Sequence, residues 1–180
     1  MVKESTETNL RSAYGGESQA HMRYLTFAGR AKEKFPNVSR MFTAIASAEQ
    51  IHANNHFRNI RTKGSATVTS GALFGSANTS EDLQAGIDGE SFEINEMYPS
   101  YRAVAQFQGE KGADLSFKYA EEAEKTHLTF YQKAKQTVDK GKDPPLGKMQ
   151  VCPVCGYTLE GDAPDKCPVC GAPKERFMAF

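Results

Sequence analysis

Several absences narrow the possibilities before any motif is considered. The formal net charge is zero, with Lys and Arg spread along the chain, so no basic face for nucleic acid or an anionic membrane is expected. No apolar run approaches the ~18 residues of a membrane span. The first residues, Met1 to Ser5, lack the apolar core of a signal peptide. The expectation is a soluble, cytoplasmic protein with neither nucleic-acid nor membrane partners. Cysteine is absent before Cys152, and residues 1–63 hold a single proline and read as two long helical stretches. All four cysteines and most prolines fall after residue 143. A 180-residue chain divided in this way reads as one domain of ordinary size with a small appendage.

What the first part does contain is two Glu-x-x-His pairs, Glu49/His52 and Glu124/His127, each preceded by a lone glutamate, Glu17 or Glu90, 32 or 34 residues earlier. Residues three apart share one helix face, so each pair offers a carboxylate and an imidazole to the same point. Glutamates are ordinarily solvated, but the neighbours of these four at helical spacing are apolar. Glu17 lies on the stripe Leu10, Ala13, Tyr14, Ala20, Tyr24; Glu49 on Phe42, Ile45, Ala46, Ala53; Glu90 among Leu83, Ile87, Ile94, Met97; Glu124 among Phe117, Ala120, Leu128, Tyr131. All four should point inward. Each unpaired buried carboxylate costs several kcal/mol, which a domain of roughly 10 kcal/mol net stability cannot sustain four times. A cationic partner is required. Glu93, three residues after Glu90, adds a fifth inward carboxylate, and two divalent ions would nearly neutralise the set. One Glu from each of two helices and a Glu-x-x-His from each of two others is the ligand set of ferritin-like dinuclear bundles. The ligand types alone leave iron, manganese and zinc open.

The remaining pattern predicts a mostly α protein: a ferritin-like four-helix bundle with one long crossover, plus a small C-terminal metal-knuckle domain. A first helix is expected from Ser5 or Thr6 to about Lys34, and a second from Val38 to about Lys63, stopped by Gly64. Residues 64–78 are uncharged and rich in Gly, Ser, Ala and Thr. Such a loop usually counts against an assignment, yet the bundle requires a long crossover here. Thr79 and Asp82 should open the third helix as cap and acidic first turn, with Pro99 kinking it before its end near Gln108. The fourth helix covers about Ala113 to Val138. Gly16-Glu17-Ser18 recurs as Gly89-Glu90-Ser91 and Ala48-Glu49-x-x-His52 as Ala123-Glu124-x-x-His127, so each half is one helical hairpin. The expected division is bundle 1–138, semi-extended linker 139–148 and cysteine domain 149–180.

Cys152-Pro-Val-Cys155-Gly and Cys167-Pro-Val-Cys170-Gly are identical knuckles, a specific metal signal. Two disulfides are the alternative, but about 30 residues cannot build a core without a metal. Four thiolates suit zinc, as a clip, or iron, as a one-electron carrier.

With Gly16-Glu17-Ser18-Gln19-Ala20, both Glu-x-x-His pairs, Glu90-x-x-Glu93-x-x-Glu96-Met97-Tyr98-Pro99 and the Cys-Pro-Val-Cys-Gly-Tyr knuckle in hand, the chain resembles the rubrerythrins along essentially its whole length. Its 11-residue gap between knuckles is similar to the abbreviated rubredoxin-like domain of that family. The resemblance implies two irons in the bundle and one on the four cysteines. Glu49 and Glu124 would bridge, Glu17 would complete one iron's shell and Glu90 with His127 the other's, while the first iron exchanges Glu93 for His52 on reduction. Tyr24 and Tyr98 match tyrosines that hydrogen-bond ligating carboxylates; core aromatics with a wet hydroxyl are the alternative. His21 and His56 are assigned no metal and fit polar positions beside the site. The implied activity is reduction of hydrogen peroxide to water, in defence against oxidative stress, with electrons from a separate reductase or small redox carrier, linked indirectly to NADH. An iron-handling protein and a dioxygen-reducing oxidase are the alternatives. The resemblance also implies a homodimer or higher even-numbered oligomer, in which the cysteine module of one subunit lies against the bundle of another.

Overall fold

The structure, a computed structural model, describes residues 2–180. The bundle consists of α1 (Glu4–Ala31), α2 (Pro36–Asn59), α3 (Thr79–Phe92) continued through a π-helical turn at Glu93–Met97 into α4 (Tyr98–Gln108), and α5 (Lys111–Val138). Its apolar interior is split in two. One cluster gathers Ala20, Tyr24 and Phe27 of α1, Met41, Phe42 and Ile45 of α2, Leu83 of α3, and Phe130 and Tyr131 of α5. The other gathers Leu10, Ala13, Met97, Tyr98, Phe117 and Ala120. On every helix the predicted ligands fall between the two, so a polar layer crosses the middle of the bundle. Burying each large apolar side chain contributes about 1.5–3 kcal/mol, and the two clusters together hold that layer in place.

Three local expectations are corrected. The second helix ends at Asn59 rather than near Lys63, because the Glu7 carboxylate draws the chain away, accepting the backbone N–H groups of Arg61 at 2.9 Å and Thr62 at 2.7 Å. Asn78, not Thr79, caps α3: its side chain accepts the Glu81 N–H at 3.1 Å, and Glu81 returns the favour at the Ala77 N–H. Pro99 does not simply kink the third segment. It sits in the first turn of α4, where its missing N–H is harmless, and the preceding π turn, with Tyr98 N–H on Glu93 O, absorbs the change in pitch.

The cysteine module is a three-stranded antiparallel sheet, β1 (Met149–Val151), β2 (Thr158–Glu160) and β3 (Met178–Ala179), in the order β2-β1-β3. It packs against the bundle of its own chain, Met149 and Val151 joining the same core cluster as Phe42 and Tyr131. Within one chain the module thus lies on its own bundle; the expected docking of module on bundle across subunits concerns an assembly that a single chain does not contain. The linker is not a free tether. Asp143 accepts the N–H of Asn37 at 3.0 Å, capping an α2 start that has no cap of its own. Asn37 Nδ2 donates to Pro144 O at 3.0 Å and Arg40 Nη2 to Gly147 O at 2.9 Å. Among the described residues, no helix is long and apolar enough to cross a membrane.

Candidate metal centre

The polar layer brings two overlapping quartets of donors together, Glu17, Glu49, His52 and Glu124 in one and Glu49, Glu90, Glu124 and His127 in the other, the atoms of each within 4.8 Å of one another. All six side chains are buried. Glu49 and Glu124 belong to both quartets, and each pairs with the imidazole three residues on: His52 Nδ1 lies 3.0 Å from Glu49 Oε2 and His127 Nδ1 2.5 Å from Glu124 Oε2. Glu93 belongs to neither. It opens the π turn, half-buried, within electrostatic reach of Glu124, Glu49 and His52.

The outer nitrogens of the two imidazoles settle their tautomers. His52 Nε2 meets the carbonyl of Cys155 at 3.1 Å; a carbonyl only accepts, so Nε2 keeps its hydrogen and Nδ1, which faces the carboxylates, is the nitrogen that gives up its proton to bind a metal. Thr158 spends its hydroxyl proton on Gly156 O at 2.9 Å, so its oxygen accepts from His127 Nε2 at 2.9 Å. In both imidazoles Nδ1 is therefore the nitrogen turned toward the carboxylates of the cluster. Neither Thr158 nor the Cys155 carbonyl carries a sequence signal for this role, because the contact crosses from module to bundle.

The tyrosines act on the carboxylates. Tyr24 OH donates to Glu90 Oε1 at 3.0 Å, and Tyr98 OH donates to Glu17 Oε1. With its proton on Glu17, Tyr98 oxygen accepts from His56 Nε2 at 3.1 Å, and Ser116 donates to His56 Nδ1 at 2.6 Å. Burial first, then His52, hold His56 down at about 3. Both its nitrogens are used, so it is a neutral support and not a ligand. Ser116 was missed, although it shares the α5 face of Ala120, Ala123 and His127. His21 lies apart, its Nδ1 2.7 Å from Ala46 O.

A pair of metal ions fits this donor set. Glu17 Oε2 and Glu49 Oε1 are buried without a hydrogen-bond partner, a costly arrangement unless a cation takes them. Burial followed by Glu93 pushes Glu17 well above the usual carboxylate range, and burial followed by Glu124 does the same to Glu90 and Glu93. Burial opposes charge on the imidazoles, yet Glu124 carries His52 well above its ordinary value and His127 up to about 9. Carboxylates that cannot all ionise, beside imidazoles that hold protons, call for positive charge in their midst.

The thiols form the second centre. Cys152 Sγ lies 3.5 Å from Cys170 Sγ, and Cys155 Sγ 3.5 Å from Cys167 Sγ, far beyond a disulfide bond of ~2.05 Å. A tetrahedral ion with metal–sulfur bonds of about 2.3 Å needs sulfurs roughly 3.7 Å apart, so the four fit one metal. The Cys155 thiol hydrogen-bonds Cys152 and draws it down to about 5, while burial pushes Cys170 up to about 12. Gly156 closes the first knuckle at φ +78°, and a Cβ there would collide with His52 Nε2. The left-handed turn and the approach of the two centres thus demand the same glycine. Asn55 Nδ2 reinforces the contact on Val154 O at 2.8 Å.

Comparison with known proteins gives a consistent result. A family model described as rubrerythrin matches residues 8–135, and one described as the rubrerythrin rubredoxin-like domain matches residues 150–178. Rubrerythrin-2 of Clostridium acetobutylicum is 47% identical over 173 residues, covering 95% of this chain and 94% of that protein. Nigerythrin of Nitratidesulfovibrio vulgaris is 34% identical, covering 98% of this chain and 87% of its own. A solved structure of nigerythrin in a mixed-valence state superimposes with a TM-score of 0.86 at 32% identity, covering all of this chain and 88% of that one.

Proposed function

The chain belongs to the rubrerythrin family, and on that premise we propose that it is a peroxidase, reducing hydrogen peroxide to two waters at the di-iron carboxylate–histidine site with electrons passed in from the rubredoxin-like cysteine site. The observation that carries this reading is the docking of the module, which places the Cys155 carbonyl on one ligand imidazole and Thr158 on the other. When bound, the iron pair supplies two electrons to the O–O bond, and the cysteine-held iron restores them singly.

The protein's own groups supply the rest. Glu49 and Glu124, common to both quartets, would be shared by the two ions, with Glu17 and His52 completing one quartet and Glu90 and His127 the other. Glu93 would take the place of His52 beside Glu17 when the oxidation state changes. Glu93 stands outside both quartets, and burial followed by Glu124 raises its carboxyl well above the usual range, so it would hold a proton for a departing oxygen. The two protons of the reaction leave as water. Tyr24 and Tyr98 restrain Glu90 and Glu17 during these shifts.

Electrons come from a separate reductase or small carrier, with NADH as the first donor, and four reduced thiols suit the cytoplasm. Assembly as a homodimer or higher even-numbered oligomer is a separate part of the proposal, supported by the exposed Phe57 and Phe107 rings and measurable by sedimentation. Iron handling is the less favoured reading, since storage needs no electron carrier pressed onto the ligand histidines; the oxidase reading gives Glu93 no task. The test is anaerobic reconstitution to about three irons per chain, followed by peroxide-dependent NADH consumption with an added reductase and carrier. Iron uptake far beyond that number would favour handling, and faster turnover with dioxygen than with peroxide would favour the oxidase.

A further inference from the structure

The crossover at residues 64–78 is tied along α1. Gln19 Nε2 donates to Gly71 O at 3.4 Å, Arg23 Nη1 to Leu73 O at 3.4 Å and Arg30 Nη1 to Ser76 O at 2.9 Å. Beneath this strap, against α1, α3 and the π turn, lies a cavity of about 400 Å³ walled by Leu73, Phe92, Met97 and Tyr101, with Glu93 also in its lining. Gly16 and Gly89, the chain neighbours of Glu17 and Glu90, line it too, so the cavity adjoins the proposed reaction site.

That volume is out of proportion to hydrogen peroxide, a molecule little larger than water, whose share of liquid volume is about 30 Å³. Cavities of roughly 300–1,000 Å³ with apolar walls are the size class of small organic ligands. The residues at the mouth agree: Leu73, Phe92 and the adjoining Phe74 are exposed, Phe74 to 91%. In the wall, Arg23 Nε is buried without a partner, a donor left for an oxygen of the ligand.

We propose that this cavity binds the organic substituent of an alkyl or aryl hydroperoxide and presents its hydroperoxy group to Glu93, making such hydroperoxides substrates of the same site. This rests on the peroxidase reading and extends it to a substrate class. The reaction balances as before: the O–O bond breaks, the substituted oxygen takes a proton and leaves as the alcohol, and the other oxygen leaves as water. Two electrons come from the reduced iron pair and are restored by the external reductant through the cysteine site. Two protons come from solvent.

Cumene hydroperoxide and its product alcohol, 2-phenyl-2-propanol, are the probes. Anaerobically reduced, iron-loaded protein is mixed with cumene hydroperoxide or with hydrogen peroxide in a stopped-flow instrument. Separately, the alcohol is titrated against protein carrying ¹³C-methyl methionine. The expected result is oxidation by both peroxides, with a saturable shift of the Met97 methyl resonance. Two variants fill the cavity: Gly16→Leu, where an added Cβ meets nothing within 4 Å, and Ala72→Phe on the strap, away from the bundle core. Each should lower the ratio of the cumene hydroperoxide to the hydrogen peroxide rate constant roughly tenfold or more and abolish the Met97 shift. Hydrogen peroxide oxidising the protein while cumene hydroperoxide does not, with no Met97 shift, would overturn this proposal and leave the peroxidase reading standing. Oxidation by neither peroxide would overturn both.

Discussion

In the bundle, the donors come from Glu17 on α1, Glu49 and His52 on α2, Glu90 on α3, and Glu124 and His127 on α5. In the cysteine module, four thiols come from two identical knuckles with 11 residues, including β2, between them. The bundle site holds flexible carboxylates, with Glu17 Oε2 and Glu49 Oε1 lacking a hydrogen-bond partner, and a spare carboxylate, Glu93, at its edge. The module's donor set ends with its four thiols, and its turns are closed by glycines at φ +78° and +76°. A site with a spare ligand can change its coordination during a reaction; a closed site can pass an electron without moving. The proposed division of labour between chemistry and electron supply rests on that contrast, and the contact at His52 joins the two halves.

The largest expected effect comes from disabling the closed site. Cys152→Ser with Cys155→Ser should cost one iron per chain and lower steady peroxide turnover by about a hundredfold or more, while a single oxidation of the reduced bundle by peroxide survives. Iron analysis and stopped-flow absorbance measure the two parts. Unaltered turnover would mean that electrons enter the bundle directly.

Removing the spare ligand should come next. Glu93→Gln keeps the charge-neutral shape but cannot ligate as a carboxylate or donate an acidic proton, so oxidation by peroxide should slow by about a hundredfold with metal content unchanged. If rates hold in this variant and in His52→Ala, no exchange of ligands takes place.

Proton competition sharpens the contrast further. His127, held up at about 9 by Glu124 against the effect of burial, is protonated at neutral pH and must give up that proton to bind metal. Ferrous affinity of the bundle should therefore rise with pH up to about 9, roughly tenfold per unit for each proton displaced, and fall on acidification. Titration calorimetry in buffers of different ionisation enthalpy reads the released protons; proton-independent loading would contradict the assignment.

The junction itself is tested by Gly156→Ala. The positive φ costs an alanine about 1 kcal/mol, and its Cβ would strike His52. Both metals should remain while electron transfer between them slows roughly tenfold. The smallest effect belongs to Tyr24→Phe, which removes one hydrogen bond to Glu90 and should cost about 1 kcal/mol of stability in a denaturant titration.

The same contrast explains what could be read from the sequence. Ligands repeated at i and i+3 on apolar stripes, and cysteines two residues apart, are local patterns with one geometric meaning, so both donor sets stand out before any fold is known. Contacts between distant segments leave no such pattern. Glu7 ending α2 at Asn59, Asp143 capping its start, and Thr158 orienting His127 each join segments between 31 and 106 residues apart. The linker's bonds to Asn37 and Arg40 are likewise contacts between distant segments, so its composition indicated a semi-extended stretch but not where it is pinned. The π turn before Pro99 was legible only as a disturbance of the helix, not as the place where Glu93 parts from the other ligands.

That docking is the claim on which the relay depends, and subunit mixing tests it most directly. A chain lacking Glu49 and Glu124 retains only the module's centre, and a chain lacking Cys152 and Cys155 only the bundle's. If the two centres work together within one chain, mixtures of the two variants, dissociated and reassembled, should show no peroxide turnover above that of either alone. Turnover restored by mixing would contradict the account, because it would require the module of one chain to serve the bundle of another.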